Sequence, residues 1–263
     1  LAGVPLASFL AWAVSWRAAF AIAAAAALIT FAAIRITVPK VPALPDSGFA
    51  AQFRFLRSLE PWLVLGAISL GNGGFFAYYS YVNPVMEHVA AVPASMMSVV
   101  ITLAGAGMVL GNLFCAKISS SFSDESLAAA GQGVLLLSLA SVFFLAHWSP
   151  AAIALTTLAA GCVFFISGPE QVLMIRNAKE GQLLAASLAQ VSFNAGNAVG
   201  AWLGGLPIDA GKAANWAAMP GFFLALAGFG LLFVNWLIHR VREEERTAGR
   251  IAALKDQIQS KAP

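Results

Sequence analysis

The chain has 263 residues, 60% hydrophobic and only 10% charged, with a formal net charge of +3 and a mean hydropathy of +0.80. Soluble domains carry about 25% charged residues, so an ordinary soluble fold is excluded. The two cysteines, Cys115 and Cys162, lie inside apolar runs without metal or redox spacing, and read as small buried hydrophobes.

Four stretches carry no Asp, Glu, Lys or Arg: Pro61–Met86, Val89–Ala116, Ser126–Ser167 and Gly181–Ile208. About 20 helical residues cross the hydrocarbon of a bilayer, so these runs predict an all-α, multi-span membrane protein. The opening LAGVPLASFL lacks the basic region and cleavage site of a signal peptide, and reads as a partial span over about 1–13. A first full span follows at about 18–38. The segment 39–60 is the longest connection, Pro-rich at first. Its second half spaces Phe49, Phe53, Leu56 and Leu59 around Arg54 and Arg57, as a short helix on a membrane surface does.

Six further spans are predicted at about 61–83, 96–116, 126–147, 150–172, 183–206 and 216–238, with the HWSP turn (147–150) dividing the run too long for one crossing. The polar tail 239–263 reads as a solvated helical extension. Alternating the spans across a bilayer puts thirteen of the fifteen Lys and Arg on one side and leaves Arg17 and Lys212 on the other. By the positive-inside rule the 39–60 loop and the C-terminus are cytoplasmic, in a multi-pass protein of the cell (inner or plasma) membrane.

Polar groups inside a bilayer are costly and mark packing or a solute path. In 61–83, Asn72, Phe76, Tyr79 and Asn83 follow an i, i+4, i+7, i+11 spacing, with Asn72 about 17 Å in from Pro61. Tyr78 and Tyr81 read as an interfacial aromatic belt. The GNGG around Asn72 and the Gly168-Pro169 pair read as interruptions in corresponding spans of two three-helix repeats. Glu170 falls at the inner boundary of its span, where it reads as an interfacial carboxylate, with a proton-carrying role as the alternative. In 183–206, Ser187, Gln190, Asn194 and Asn197 share an arc of about 80°, suited to hydroxyl- or amide-bearing solutes. Beside them Gly196, Gly200 and Gly204 form a helix-packing stripe, as do Gly107 and Gly111 in 96–116. The three histidines sit at span ends. No phosphate loop, nucleophile elbow or metal-ligand cluster is present, which argues against an enzyme, an ATP-driven pump, a cofactor or a nucleic-acid partner.

The order and spacing of several pieces carry a family resemblance. They are GVPLASFL…SWRAAF, QFRFLRS, Pro61-Trp62, Gly71-Asn72, Ser80-Tyr81-Val82, GMVLGN (107–112), Asn177-Ala178-Lys179 and Gln190…Phe193-Asn194…AVGA…Gly204-Gly205. Together they resemble the major facilitator superfamily, within it the drug–proton antiporter group and its AraJ-type arabinose-efflux permeases. The resemblance implies twelve spans in two six-helix halves. Residues 1–38 are then the end of span five and span six, 39–60 the loop between halves, and 61–238 the C-terminal six-helix bundle. It further implies a solute path along Asn72, Phe76, Tyr79, Asn112, Gln171, Gln190, Asn194 and Asn197. The partners implied are a small solute, protons, the lipid bilayer and an N-terminal half absent from this chain. The sequence departs from the family where Ala7 follows Pro5-Leu6, and at Ala116-Lys117-Ile118-Ser119, which keeps one base of a gating motif and lacks the second. The expected function is proton-coupled efflux of a sugar or drug-like solute. The alternative is a half-length membrane protein acting through helix association at its glycine stripes.

Overall fold

A computed structural model describes residues 15–37, 39, 49–178 and 181–260. The 1–13 span, Gly3, Pro5, Leu6 and Ala7, the Pro-rich part of the loop and Lys179 lie outside the described residues. The described residues form seven long helices: α1 (Trp16–Thr37), α2 (Leu59–Tyr79), α3 (Met97–Ile118), α4 (Asp124–Leu145), α5 (Ser149–Asn177), α6 (Gln182–Asp209) and α7 (Ala218–Ser260). No strand occurs among them.

Local chemistry fixes several helix ends. Ser123 is extended (φ −70°, ψ 150°), and its Oγ accepts from the Ser126 amide at 3.3 Å, while Asp124 and Glu125 complement the dipole of the first turn of α4. Pro150 at the start of α5 supplies a pre-set φ where the amide is not needed. α2 stops at Tyr79, and a helical turn at Val82–Pro84 and a π-turn at Val85–Val89 carry the chain onward. Asn83 therefore leaves the helical spacing of Asn72, Phe76 and Tyr79, and is exposed.

Neighbouring helices build two layers. α6, α2, α5 and α3 stand side by side in that order, and α7 and α4 cover one side of this row, packing on α2 and α5 and on each other. From Phe20 to Thr37, α1 is exposed. Five segments have both the length and the hydropathy to cross a membrane: Phe20–Thr37, Ala94–Ile118, Asp124–Leu145, Ser149–Asn177 and Ala214–Arg242. α2 and α6 have the length without that hydropathy, and they pack extensively against each other. On α2 the polar Asn72 is buried against neighbouring protein, whereas Gln190 and Asn194 of α6 are exposed in this chain.

Several expectations need correction. GNGG and Gly168-Pro169 do not interrupt their helices; both α2 and α5 run through. The α2 glycines are closeness devices instead: a Cβ on Gly71 would fall 2.6 Å from Gln132 Oε1, and one on Gly74 2.6 Å from the Gly221 carbonyl. The 49–57 segment is not a single amphipathic helix. It splits into a turn at Phe49–Gln52 and a 3-10 turn at Arg54–Arg57, and buries Phe55 while Phe53 and Leu59 stay exposed. Trp62 Nε1 donates to the Leu56 carbonyl at 2.8 Å, tying this segment to α2.

Candidate functional site

The α2–α6 contact is a backbone-to-backbone seam. A Cβ added to Gly196, Gly200 or Gly204 would lie 2.0 Å from the carbonyl oxygen of Ser69, Gly73 or Ala77 respectively. The constant offset makes the two helices parallel and in register, and Gly73 returns the contact at 2.9 Å from the Gly196 carbonyl. Only residues without a side chain permit such approach. At the other end of the row, Gly107 and Gly111 of α3 lie under the Thr157 and Gly161 carbonyls of α5, at 2.4 and 2.1 Å from a built Cβ.

Register and helical period place the two polar stripes. Gly196 faces Ser69, about 15 Å along α2 from its start, so Asn197 stands at mid-height, with Asn194 and then Gln190 below it. On α2, Asn72, Phe76 and Tyr79 lie on one flank of the seam. For parallel helices the matching flank of α6 carries Phe193, Asn197, Gln190 and Asn194. Phe76 and Phe193 meet across it with centroids 6.2 Å apart at 81°, joining the stripes. Tyr79 continues the aromatic group, 6.2 Å edge-on to Phe76 and 4.7 Å stacked on Phe75.

The amides differ in environment. Asn72 is 2% exposed; its Nδ2 donates to the Ile68 carbonyl at 2.8 Å and its Oδ1 has no donor. Asn194 is exposed, with Nδ2 donating to the Gln190 carbonyl at 2.8 Å. Asn197 is half-buried, and its Oδ1 is buried without a donor. Gln190 is exposed, Gln171 on α5 is half-exposed, and Asn112 is exposed on α3 at the far end of the row, outside the α2–α6 cluster.

Glu170 is buried inside the bundle rather than placed at a helix end. α5 continues to Asn177, seven residues further, placing Glu170 about 10 Å inside the helix end. It is 2% exposed, and its Oε1 makes no hydrogen bond. The tyrosines also depart from a belt. Tyr78 is fully buried, with its hydroxyl 2.6 Å from Thr156 Oγ1. Thr156 already donates to the Ala152 carbonyl at 2.7 Å, so Tyr78 is the donor. The Tyr81 hydroxyl donates to the Ala201 carbonyl on α6 at 2.9 Å.

Sequence reading missed three features. Phe193, the bridge between stripes, looks like one more apolar residue. Gln132 is buried in the middle of α4 and donates to the Ala225 carbonyl at 3.2 Å; a census of amides extended to the Ser126–Ser167 run would have found it. At the basic end of the bundle, Arg176 bonds the carboxylate of Glu125, which is 1% exposed. His239 Nε2 lies 3.4 Å from the same carboxylate, and Arg242 pairs with Glu60. Here ion pairs tie α5 to α4 and α7 to α2.

A bundle of membrane-length apolar helices joined by bare-backbone seams defines an all-α membrane protein. The family model described as Major Facilitator Superfamily matches residues 1–183, and the chain belongs to that superfamily. It is 35% identical over 234 residues to "Putative transporter AraJ" of Escherichia coli strain K12, covering 89% of this chain and 59% of that protein. It is 29% identical over 238 residues to the "Inner membrane transport protein YdhP" of the same strain, covering 89% of this chain and 59% of that one. It is 27% identical over 210 residues to that strain's "Purine ribonucleoside efflux pump NepI", covering 78% of this chain and 52% of the relative. The chain thus spans between half and three-fifths of the length of these curated relatives.

Proposed function

We propose that this chain is the solute-binding bundle of a secondary active transporter that exports a small sugar-like or drug-like solute in exchange for protons. The observation that carries this reading is the single polar flank of the α2–α6 seam. There the sequence retains amides and aromatics at mid-membrane height, where lipid-facing packing has no use for them. Relatives named as transporters and as a nucleoside efflux pump support it. The flank lies on the side of the row not covered by α4 and α7. Against that side a second six-helix half packs in the whole protein, and rocking of the halves exposes the site alternately to each face. The glycine stripes are already filled inside the chain, Gly196, Gly200 and Gly204 against α2 and Gly107 and Gly111 against α5. They are therefore not available as a dimer seam, which favours transport over a purely associative role.

Glu170 is the proton site in this reading. A buried carboxyl with an oxygen that no hydrogen bond occupies can take up and release a proton as the halves move. The end of the bundle that gathers Arg176, Arg240 and Arg242 is the cytoplasmic one, with α7 continuing into the cytoplasm of a cell whose inner or plasma membrane holds the protein. The experiment is solute flux in proteoliposomes under an imposed pH gradient, using the full-length protein that carries this chain. Glu170→Gln is expected to bind solute and to lose the dependence of flux on the gradient. Retention of that dependence assigns coupling elsewhere.

A further inference from the structure

Two helices are drawn onto α5 without meeting each other. Gly107 and Gly111 let the backbone of α3 close on the Thr157 and Gly161 carbonyls, and Gly131 lets α4 close on Phe165 and Ile166. α3 and α4 are consecutive in the chain, yet each packs on α5 and not along the other. A groove of about 1340 Å³ is left between them, with α5 as its floor. It runs from Pro93 and Pro150 at one end of the bundle to Ile118 and Phe122 at the other. The 22 residues of α3 measure about 33 Å, against about 30 Å for the hydrocarbon of a bilayer, so the groove crosses the apolar layer.

Its chemistry is that of hydrocarbon. Leu103, Leu110, Phe114, Val134 and Leu158 line it and are exposed. The hydroxyl-bearing residues of the lining are bonded within the protein: Ser149 donates to the Ala90 carbonyl, Thr157 donates to the Ile153 carbonyl, and Ser126 accepts from Trp236 Nε1. Such a lining calls for apolar matter rather than a polar solute, and an exposed apolar surface of this extent marks an interaction site.

Side, size and charge identify the occupant. The groove opens on the side of the row that α4 occupies. On the transporter reading the second half packs against the opposite face, so the bilayer meets the groove. A helix about 10 Å across fills roughly 2400 Å³ over about 30 Å. That is more than the groove holds, whereas acyl chains are slender enough to lie in it. At the basic end, Lys117 is exposed in the last turn of α3, seven residues after Leu110 and three after Phe114, and so on their side of the helix. Snorkelling carries its ammonium to the membrane surface, where lipid phosphates lie, and basic residues between membrane helices bind such headgroups. The nearby carboxylates of Asp124 and Glu125 are engaged by Arg176, and Ser120 and Ser121 are exposed beside Lys117.

We propose that the α3–α4 groove is a seat for a phospholipid, with acyl chain lying on α5 between Leu110, Phe114 and Val134 and the phosphate on Lys117. This gives a role to the one base that the 116–119 segment keeps.

The test is native mass spectrometry of the purified full-length protein, titrated with phosphatidylglycerol, with the matching diacylglycerol and with inorganic phosphate. Phosphatidylglycerol is expected to bind about fivefold more tightly than diacylglycerol, the contribution of one basic residue beside a lipid phosphate, and inorganic phosphate is expected not to be retained. Lys117→Ala removes that preference and Lys117→Arg keeps it. Ala130→Phe with Ala154→Phe puts two rings into the groove, where both alanines are exposed. In this double variant both lipids are expected to bind about tenfold or more weaker, with the melting temperature in lipid-free detergent near wild type. Lipid affinities unchanged by the filled groove, or a preference that survives Lys117→Ala, overturn the proposal. A melting temperature lowered in detergent by the double variant also overturns it, because a protein segment then covers the groove. Flux in proteoliposomes is a separate readout: this lipid pattern without flux refutes the transporter reading alone, and flux without the pattern refutes the lipid seat alone.

Discussion

Replacing Gly200 by Ala inserts a single methyl group 2.0 Å from the Gly73 carbonyl oxygen. A real Cβ contact needs at least 3.0 Å, so α2 and α6 must part by roughly 1 Å at the point where their backbones touch. Overpacking of this kind costs about 1–3 kcal/mol. Opposed to it is the better helix propensity of Ala, worth about 0.8–1.0 kcal/mol over Gly. Gly230 in α7 separates the two effects, because a Cβ there has nothing within 4 Å and Gly230→Ala collects the propensity gain without the clash. The difference between the variants is then the clash alone. At about 2–4 °C per kcal/mol for a chain of this size, Gly200→Ala is expected to melt roughly 2–12 °C below Gly230→Ala, measured in one detergent by intrinsic fluorescence. Equal melting temperatures, or a more stable Gly200→Ala, refute the claim that the seam depends on bare backbone contact.

Other substitutions probe the remaining contacts. Thr156→Val leaves the buried Tyr78 hydroxyl without its acceptor and is expected to cost about 1–3 kcal/mol, against about 1 kcal/mol for Tyr78→Phe; equal losses in a denaturation series would contradict the assigned donor. Arg176→Leu leaves the buried Glu125 carboxylate with His239 Nε2, at 3.4 Å, as its remaining partner and lowers the melting temperature. The Arg176 side chain is 45% exposed, so the loss stays below the about 3–5 kcal/mol of a fully buried pair. The double change Arg176→Leu with Glu125→Leu recovers most of that loss if the pair is the cause. In Gly131→Leu the new side chain meets Ile166 and Phe165, at 2.4 and 2.8 Å already from its Cβ. Proteolysis of that variant is expected to cut between α4 and α5 faster than in wild type.

The long helices were legible because bilayer chemistry makes charge-free runs conspicuous in sequence, although only five of the described segments also have the hydropathy of a membrane span. Pairing was legible only in part. That Gly196, Gly200 and Gly204 mark a packing face follows from spacing, but that Ser69, Gly73 and Ala77 stand opposite depends on tertiary register. The GNGG segment shows why composition misled: glycine weakens an isolated helix, yet in α2 it admits Gln132, Gly196 and Gly221 to the backbone, and packing outweighs propensity. Tyr78 and Tyr81 looked interfacial because their positions near a span end match a belt, whereas their hydroxyls find acceptors on α5 and α6. Glu170 shifted inward because α5 runs on through Arg176 to Asn177, beyond the point at which polarity alone suggested an end.

The central claim is that the α2–α6 flank is a solute path rather than packing, and flux through the full-length protein tests it most directly. Initial rates of efflux from proteoliposomes would be compared for wild type, Gln190→Ala with Asn194→Ala, and Gly230→Ala as a control away from the flank. Both side chains are exposed, so their removal leaves stability near wild type. The account predicts normal flux in Gly230→Ala and at least about a tenfold fall in kcat/KM in the double variant. Unchanged kinetics in the double variant, with the protein folded and inserted, would contradict it.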